Sequence, residues 1–420
     1  MREAAQGTGP RTAVVVGAGI VGLSTAWFLQ EHGVRVMVVD RDGVAAGASW
    51  GNAGWLSPGL AIPLNEPAVL RTGLASLLRR DAPLHVPRTA DPALWSFLLR
   101  FAAHCTWPAW RRVVHANLAL NGDCLEAFDA LTRGGVAAGT VEAPITAVFD
   151  SAGHAGTLLA ELRRFTAAGA EAAHTVLTGS ELRDRLPQLS ARAGAGVHLA
   201  GQRYLDPGRF VKALADSVRH RGGTIRTGFD VRSLRAHRYA VTLVSRENVG
   251  VSANVAVLAT GAWISSLGRD LGVRVPVRAG RGYSFTVPTS TPLRHPVYLP
   301  GVRVAVTPYQ DGMRVAGTME FRGPDDPLDE RRVRAIVRSA APYFDDARWD
   351  DRADVWVGPR PVSGDGLPLI GATAQPGVFV AGGHGMWGFT QGPVTGKLLA
   401  ERIVTGKQTE ALRPFDPLRK

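Results

Sequence analysis

Residues 13–41 read AVVVGAGIVGLSTAWFLQEHGVRVMVVDR, and this run decides the fold. An apolar strand, Ala13 to Val16, meets a Gly-x-Gly-x-x-Gly turn, a helix follows, and a second strand ends at Asp40. Each glycine has a task. Gly17 lets the chain turn sharply after the strand, Gly19 lets the backbone approach a pyrophosphate, and Gly22 lets the helix lie close on the sheet. The helix that opens with Ile20 and Val21 offers free N–H groups and the positive end of its dipole to the phosphates. Asp40, 18 residues past Gly22, stands where a carboxylate accepts hydrogen bonds from ribose hydroxyls, and Arg41 beside it is counted with the cofactor contacts. An acid there disfavours a 2′-phosphate and argues against NADP. The run predicts an α/β dinucleotide-binding unit of the Rossmann type; alone it does not choose between NAD and FAD.

The chain has 420 residues, of which 45% are apolar, enough for two domains and a large core. Thr12 to Gln30 carries no charge and is long enough to raise the question of a membrane span, but three glycines and two flanking strands argue against one. The opening MREAAQGTGP lacks the apolar core of a secretory signal and reads as a short disordered lead. Two cysteines, Cys105 and Cys124, imply a reducing, cytoplasmic setting, and no Cys/His spacing suits a metal. The net charge is +12, yet only Lys212, Lys397, Lys407 and Lys420 among the 48 basic residues are lysine, and the arginines are spread without a run of five. That distribution fits a solvated basic surface better than a nucleic-acid face.

After Asp40, the Gly/Ala/Ser/Pro-rich stretch to Pro67 reads as an extended loop. Residues 91–131 carry Trp95, Phe97, Leu98, Phe101, Trp107, Trp110, Leu118, Leu125 and Phe128, the pattern of helices broken near Pro108. They form a helical core or inter-domain face, and a basic, aromatic region of this kind also suits peripheral contact with a membrane surface. A strand at Thr146–Phe149 and a helix at Ala155–Ala168 follow. The segment Asp206–Arg221 reads as an amphipathic helix with an acidic start and proline in its first turn, leading to a strand at Thr224–Arg226. Tyr239–Ser245 and Asn254–Thr260 read as a hairpin. From Val273 to Phe321 short strands alternate with turns, the signature of an antiparallel sheet, and Val355–Val404 returns to strand, glycine turn and helix. The dinucleotide domain is therefore expected to be discontinuous. Residues 1–85, 206–270 and 352–420 would form it, with a mainly antiparallel-sheet substrate domain from 86–205 and 271–351.

Two C-terminal stretches carry the chemistry. In Val378–Ile403 an apolar strand enters a glycine-rich turn and then a helix, an arrangement that presents N–H groups to an anionic ring edge. In Gly358–Gly371, Arg360 is held between Pro359 and Pro361, where a guanidinium can grip a carboxylate in a bidentate pair; by spacing alone an ordinary surface arginine is the better reading.

The combination of GAGIVGLSTAWFL, GASWGNAGWLSPG, YLDPGRF, VLATGAW, GPRPVSGDGLPLIG and GHGMWGFT, in this order along nearly the whole chain, resembles the D-amino-acid oxidase (DAO) superfamily of FAD enzymes. Within it the chain looks most like bacterial D-amino-acid dehydrogenases, with glycine and sarcosine oxidases more distant. The resemblance implies FAD and oxidative deamination of a small amino acid by hydride transfer from its α-carbon, with electrons passed to a quinone, oxygen or another acceptor. It implies that Gly17, Gly19 and Gly22 meet the pyrophosphate and Asp40 the ribose. Ser49, Asn52, Ala53 and Gly54 would line the path of the ribityl chain and ring, and Val231 would lie near adenine. Thr260, Gly261 and Trp263 would form a second FAD-contacting turn, and Gly385, Gly388, Phe389 and Thr390 the loop at the pyrimidine edge. Arg360 would bind the substrate carboxylate. His384 and Tyr283 are candidates to bind the amine or only to pack the site, and Tyr298, Tyr309 and Trp387 are weaker candidates for the pocket wall. No cysteine lies in 363–371 and no histidine in 49–52, so the FAD is expected to be noncovalent. Trp50 and Trp55 stand where smaller or different residues are expected. Glycine, an N-methyl amino acid or a 2-hydroxy acid are alternative substrates, and a flavoprotein acting on modified tRNA is the alternative of another class.

Overall fold

In the computed structural model, residues 9–70, 83–87, 89–238 and 240–419 are described. The first eight residues of the short lead and Tyr239 lie outside them. Thr12–Val16 is buried on both faces, which is why it reads as an unbroken apolar run, and it sits in the middle of a parallel sheet. Arg35–Val39 and then Thr224–Arg226 lie on one side of it; Val255–Leu258 and Val378–Gly382 lie on the other, with Leu369–Ala372 antiparallel at the edge. The helix Ile20–Glu31 has buried residues on almost every side because it is wedged between this sheet and the helix Gly388–Thr405. Gly396 makes that approach possible: a Cβ there would stand 2.6 Å from the backbone nitrogen of Thr25. The uncharged stretch at 12–30 is thus a strand and a buried helix. Among the described residues no helix is long and apolar enough to cross a membrane.

The helix Pro207–His220 begins as expected, with the Asp206 carboxylate accepting from the Arg209 N–H at 3.0 Å and proline in the first turn. The expected hairpin is different. Val241–Ser245 pairs with Val231–Ala236 and with Gly250–Ala253, while Val255–Leu258 joins the parallel sheet beside Thr12–Val16. Two apolar runs close in sequence looked like partners, but the four residues Gly250–Ala253 between them form the strand that completes the meander.

The second layer is a large, mostly antiparallel sheet that runs Ala353–Ser363, Val277–Pro288, Gly312–Phe321, Val304–Tyr309, Val297–Leu299, Ile145–Phe149, Ala195–Leu199 and His174–Thr178. Ala353–Ser363 falls in the stretch assigned from sequence to the dinucleotide domain, yet it pairs along Val277–Pro288 as the edge strand of this sheet. An edge position is what tolerates Pro359 and Pro361. One face of the sheet packs into a core of Tyr283, Phe285, Val287, Val304, Val306, Met313 and Val315. The partners on the opposite face, Gly280, Gly282, Ser284 and Arg360, turn toward the dinucleotide layer.

Candidate active site

A cavity of about 360 Å³ runs between the two layers. At one end are Gly17, Gly19, Ile20 and Val21. Gly17 has φ +111°, and a Cβ on Gly22 would stand 2.0 Å from the Gly17 carbonyl oxygen, so neither position admits a side chain. The helix that starts at Ile20 draws no cap from Gly19 and has no acid in its first turn, which favours an anion at its N-terminal end in the cavity. Ser49 reaches over the same turn and accepts from the Ile20 N–H at 3.1 Å. The Asp40 carboxylate accepts from the N–H groups of Ala18, Asp42 and Gly43 at 2.8–2.9 Å, so it stiffens the turn as well as facing the cavity.

Beyond Asp40 the lining continues with Phe229, Asp230, Val231 and Arg246, and across from them with Thr260, Gly261 and Trp263. Asp325, from a loop after strand Gly312–Phe321, crosses to this side. It accepts from Arg41 at 2.5 Å and from the Trp263 indole at 3.0 Å, while the Arg41 guanidinium lies 4.1 Å over the Trp263 ring. Burial works to raise the Asp325 carboxyl, but the hydrogen bonds from Arg41 and Trp263 outweigh it and hold it below the usual carboxylate range. The three side chains form a clasp between the layers at the cavity edge. The loop carrying Asp325 is fixed from below, where buried Arg281 donates to the Pro327 carbonyl at 2.9 Å.

At the other end stands Arg360. Its side chain lies over Gly282, where a Cβ would be 2.2 Å from the guanidinium carbon. Opposite Gly282 the neighbouring strand bulges: Arg281 pairs with Glu320 but Tyr283 with Gly317, and the extra residue Thr318 takes φ +56°. Its carbonyl accepts from Arg360 Nη1 at 2.9 Å. Among the described residues no carboxylate pairs with Arg360. Burial pushes its guanidinium down to about 10, which leaves it a cation at neutral pH. The Gly385 N–H donates to the Pro361 carbonyl at 2.8 Å, so the glycine turn 383–388 is tied directly to the Arg360 strand. From that turn His384, Gly385, Met386, Gly388 and Phe389 line the cavity. The helix Gly388–Thr405 starts there with no side-chain cap, a second helix N-terminus directed to the same space.

The family model for DAO, described as FAD dependent oxidoreductase, matches residues 12–402. The chain belongs to the DAO family. It is 31% identical to a D-amino acid dehydrogenase of Rhizorhabdus wittichii, covering 94% of this chain and 96% of that one. It is 29% identical to a D-amino acid dehydrogenase of Vibrio vulnificus strain YJ016, covering 97% and 99%. Among solved structures, glycine oxidase from Geobacillus kaustophilus superposes with a TM-score of 0.73 at 21% identity, covering 97% of this chain and 98% of that one, a likeness of fold. The protein is an FAD-dependent oxidoreductase.

The residues of this DAO family member fit FAD on their own terms. The cradle at Gly17 and Gly22 has no room for a Cβ, and two helices with no acid in their first turns begin at one cavity, a lining suited to an anionic cofactor such as FAD. Of the residues expected from sequence, Gly22, Ala53, Gly54 and Thr390 support the cavity without lining it. Gly54, at φ +76°, backs onto the Leu205 carbonyl, and the Thr390 hydroxyl binds the Trp55 carbonyl at 3.1 Å. Asn52 lines the cavity, and its side chain accepts from the Gly54 N–H.

Tyr283 is a correction. It is fully buried on the core face of its strand, and its hydroxyl donates to Glu320 at 2.5 Å; the strand's alternation puts Gly282, not Tyr283, on the site face. His384 lines the cavity, but its Nε2 contacts the buried Thr395 hydroxyl at 2.9 Å, and burial pushes its pKa down to about 4. Trp55 donates to Thr307 at 2.8 Å and meets Tyr298 edge-on, Trp387 donates to the Ile62 carbonyl, and Arg314 lies between the rings of Trp50 and Tyr309. Sequence reasoning missed Asp325, Asp230, Arg246 and Met386. Met386 lies within the turn already singled out and Asp230 beside Val231, so their neighbours were the signal; Asp325 and Arg246 reach the cavity only through the tertiary fold.

Proposed function

We propose that this protein oxidises a small D-amino acid to the imine, which water converts to the 2-oxo acid with release of ammonia, and that the electrons pass to a quinone, oxygen or another acceptor. The observation that carries this reading is Arg360: a half-buried cation without a carboxylate partner, held by a carbonyl and a stiff strand at the ring end of the cavity. A substrate carboxylate supplies the missing partner in a bidentate pair. The near full-length relatives named D-amino acid dehydrogenase support the substrate class.

FAD supplies the two-electron acceptor. The chain's own task is orientation and electrostatics. Arg360 fixes the carboxylate and hence the direction of the α-hydrogen. The N–H groups at the start of Gly388–Thr405, Phe389 among them, stabilise negative charge at the ring edge, and Gly385 ties that turn to the Arg360 strand. His384, neutral at physiological pH and engaged with Thr395, shapes this end rather than exchanging protons. With the amine uncharged, its lone pair would assist departure of the hydride. Cys105 and Cys124 are buried, with thiols pushed up to about 11 and about 12 by desolvation, and neither lines the cavity, which supports noncovalent FAD. Acid precipitation should leave the flavin in the supernatant, and flavin retained in the pellet would refute that part.

Anaerobic mixing with D- and L-amino acids, glycine, sarcosine and 2-hydroxy acids tests the substrate class. The flavin's visible band should bleach with D-amino acids. Bleaching by L-amino acids, sarcosine or hydroxy acids alone would overturn the proposal.

A further inference from the structure

The glycine turn 383–388 and the residue after it bring His384, Met386 and Phe389 to the ring end of the cavity. Two of these side chains are committed elsewhere. His384 is buried and engaged with Thr395, and Phe389 is buried in the core of the dinucleotide layer. Met386 is only half-buried. Its neighbours fix its backbone close to the Arg360 strand: Gly385 donates to the Pro361 carbonyl, His384 bridges to Val362, and Trp387 donates to the Ile62 carbonyl. The thioether chain itself is unbranched and adapts to what lies beside it.

Met386 packs against a buried apolar cluster that includes Phe97, Phe101, Met319, Phe321 and Val362. That cluster begins beside Arg360. Val362 shares a face of its strand with Arg360, and Met319 follows Thr318, whose carbonyl holds the guanidinium. Both reach over Gly280, where a Cβ would stand 2.8 Å from a Val362 methyl carbon and 3.0 Å from the Met319 sulfur. The next position on that face is Gly282, under Arg360. Met386 thus lines the cavity and covers the apolar cluster at once. The other charges of the cavity stand at its far end, where Asp40, Asp42, Asp230 and Asp325 meet Arg41 and Arg246. A substrate held by its carboxylate on Arg360 therefore finds no charged partner for its side chain. An ionised side chain there is desolvated without compensation, whereas a short alkyl group rests on the thioether.

We propose that Met386 determines which substrate side chains the site accepts. Its side chain stands between the Arg360 end of the cavity and the apolar cluster, so that a short uncharged side chain is admitted and a longer one is kept out. The proposal rests on the reading of Arg360 as the group that holds the substrate carboxylate. Shortening Met386 opens the way into the cluster, and enlarging it narrows the site further.

The test titrates the FAD-loaded full chain with propionate and hexanoate, the carbon skeletons of alanine and norleucine without the amine, and follows the perturbation of the flavin's visible band. The wild type should bind propionate more tightly. Met386→Ala should move the ratio of the two affinities about tenfold toward hexanoate, and Met386→Phe about tenfold the other way. Met386→Leu, of similar volume, should move it little. Anaerobic bleaching should follow the same order: in Met386→Ala, D-norleucine gains on D-alanine, while D-lysine, as long but charged, does not. Met386→Phe carries the test alone if Met386→Ala fails to fold. A wild type that prefers hexanoate, or a ratio that neither variant moves, overturns the proposal and leaves the Arg360 reading standing. Equal gains by D-lysine and D-norleucine contradict it too, since the space opened is then wet rather than apolar. Folded variants that purify colourless would assign Met386 to the cofactor instead. If neither carboxylate perturbs the wild-type flavin, the Arg360 reading fails and this proposal with it.

Discussion

The two ends of the cavity are built by different means. The glycine-turn end comes from one contiguous run, residues 13–41, and presents backbone: glycines with no room for a Cβ and the start of a helix. The arginine end presents a side chain whose position is set from four separate stretches: Gly282, Thr318, Pro361 and Gly385. A site made of backbone fails completely when one glycine gains an atom, because the backbone cannot yield. A site made of a supported side chain fails by degrees, according to which support is lost.

Gly22→Ala probes the first end and should have the largest effect. Its Cβ would press on the Gly17 carbonyl at 2.0 Å, so the protein should purify without FAD and lose roughly 1–3 kcal/mol of stability. Flavin absorbance per chain measures this, and a fully yellow variant would break the contrast.

Acid acts on the large-sheet side and the ring end. Burial, with His198, Arg185 and Arg294 nearby, holds His295 neutral down to about 4, and burial alone does the same for His384. In the unfolded chain both titrate near the ordinary value of about 6.5. The unfolded state therefore takes up protons first, and stability that is full above that value should fall as pH drops toward 4, by roughly 3 kcal/mol per histidine. Urea melts at about pH 7 and about pH 4.5 should differ accordingly, and His295→Gln should remove one share of the difference. Equal midpoints for the wild type would contradict the burial argument.

Gly282→Ala should be graded in effect. A methyl group 2.2 Å from the Arg360 guanidinium carbon displaces it, raising KM about tenfold while FAD stays bound. Asp325→Ala should be the mildest, since the clasp is partly solvent-exposed: FAD should leave up to about fivefold faster, with substrate KM unchanged. The rise of flavin fluorescence on dilution measures that rate. A shift in KM without faster release would place Asp325 with the substrate instead.

The same contrast explains what could be read from the sequence. The fingerprint from Ala13 to Asp40, the Asp206-capped helix and the strand at Thr224–Arg226 are local, and their periodicity and capping residues specify them. Arg360 was singled out by the family resemblance, since by spacing alone a surface arginine fits its place between two prolines equally well. Its supports were not: nothing near Gly282 or Thr318 reveals that a bulge turns a carbonyl toward position 360. Tyr283 has a chemically suitable hydroxyl, but which face of a strand it occupies depends on pairings far away in sequence. Asp325 sits in a Gly/Pro-rich turn that looks like any solvated loop, and only the buried anchor at Arg281 gives it a fixed reach. Strand Ala353–Ser363 was misassigned for a related reason, since sequence order does not say which of two sheets an edge strand joins.

The central claim is that one end of the cavity holds the cofactor and Arg360 holds the substrate. Anaerobic titration of Arg360→Ala with a D-amino acid, following the flavin's visible band, tests it most directly. The variant should purify yellow, with wild-type FAD content, and need roughly a hundredfold more substrate for half-bleaching, the loss expected for a charge-assisted pair. A colourless variant, or one that bleaches at the wild-type concentration, would contradict it.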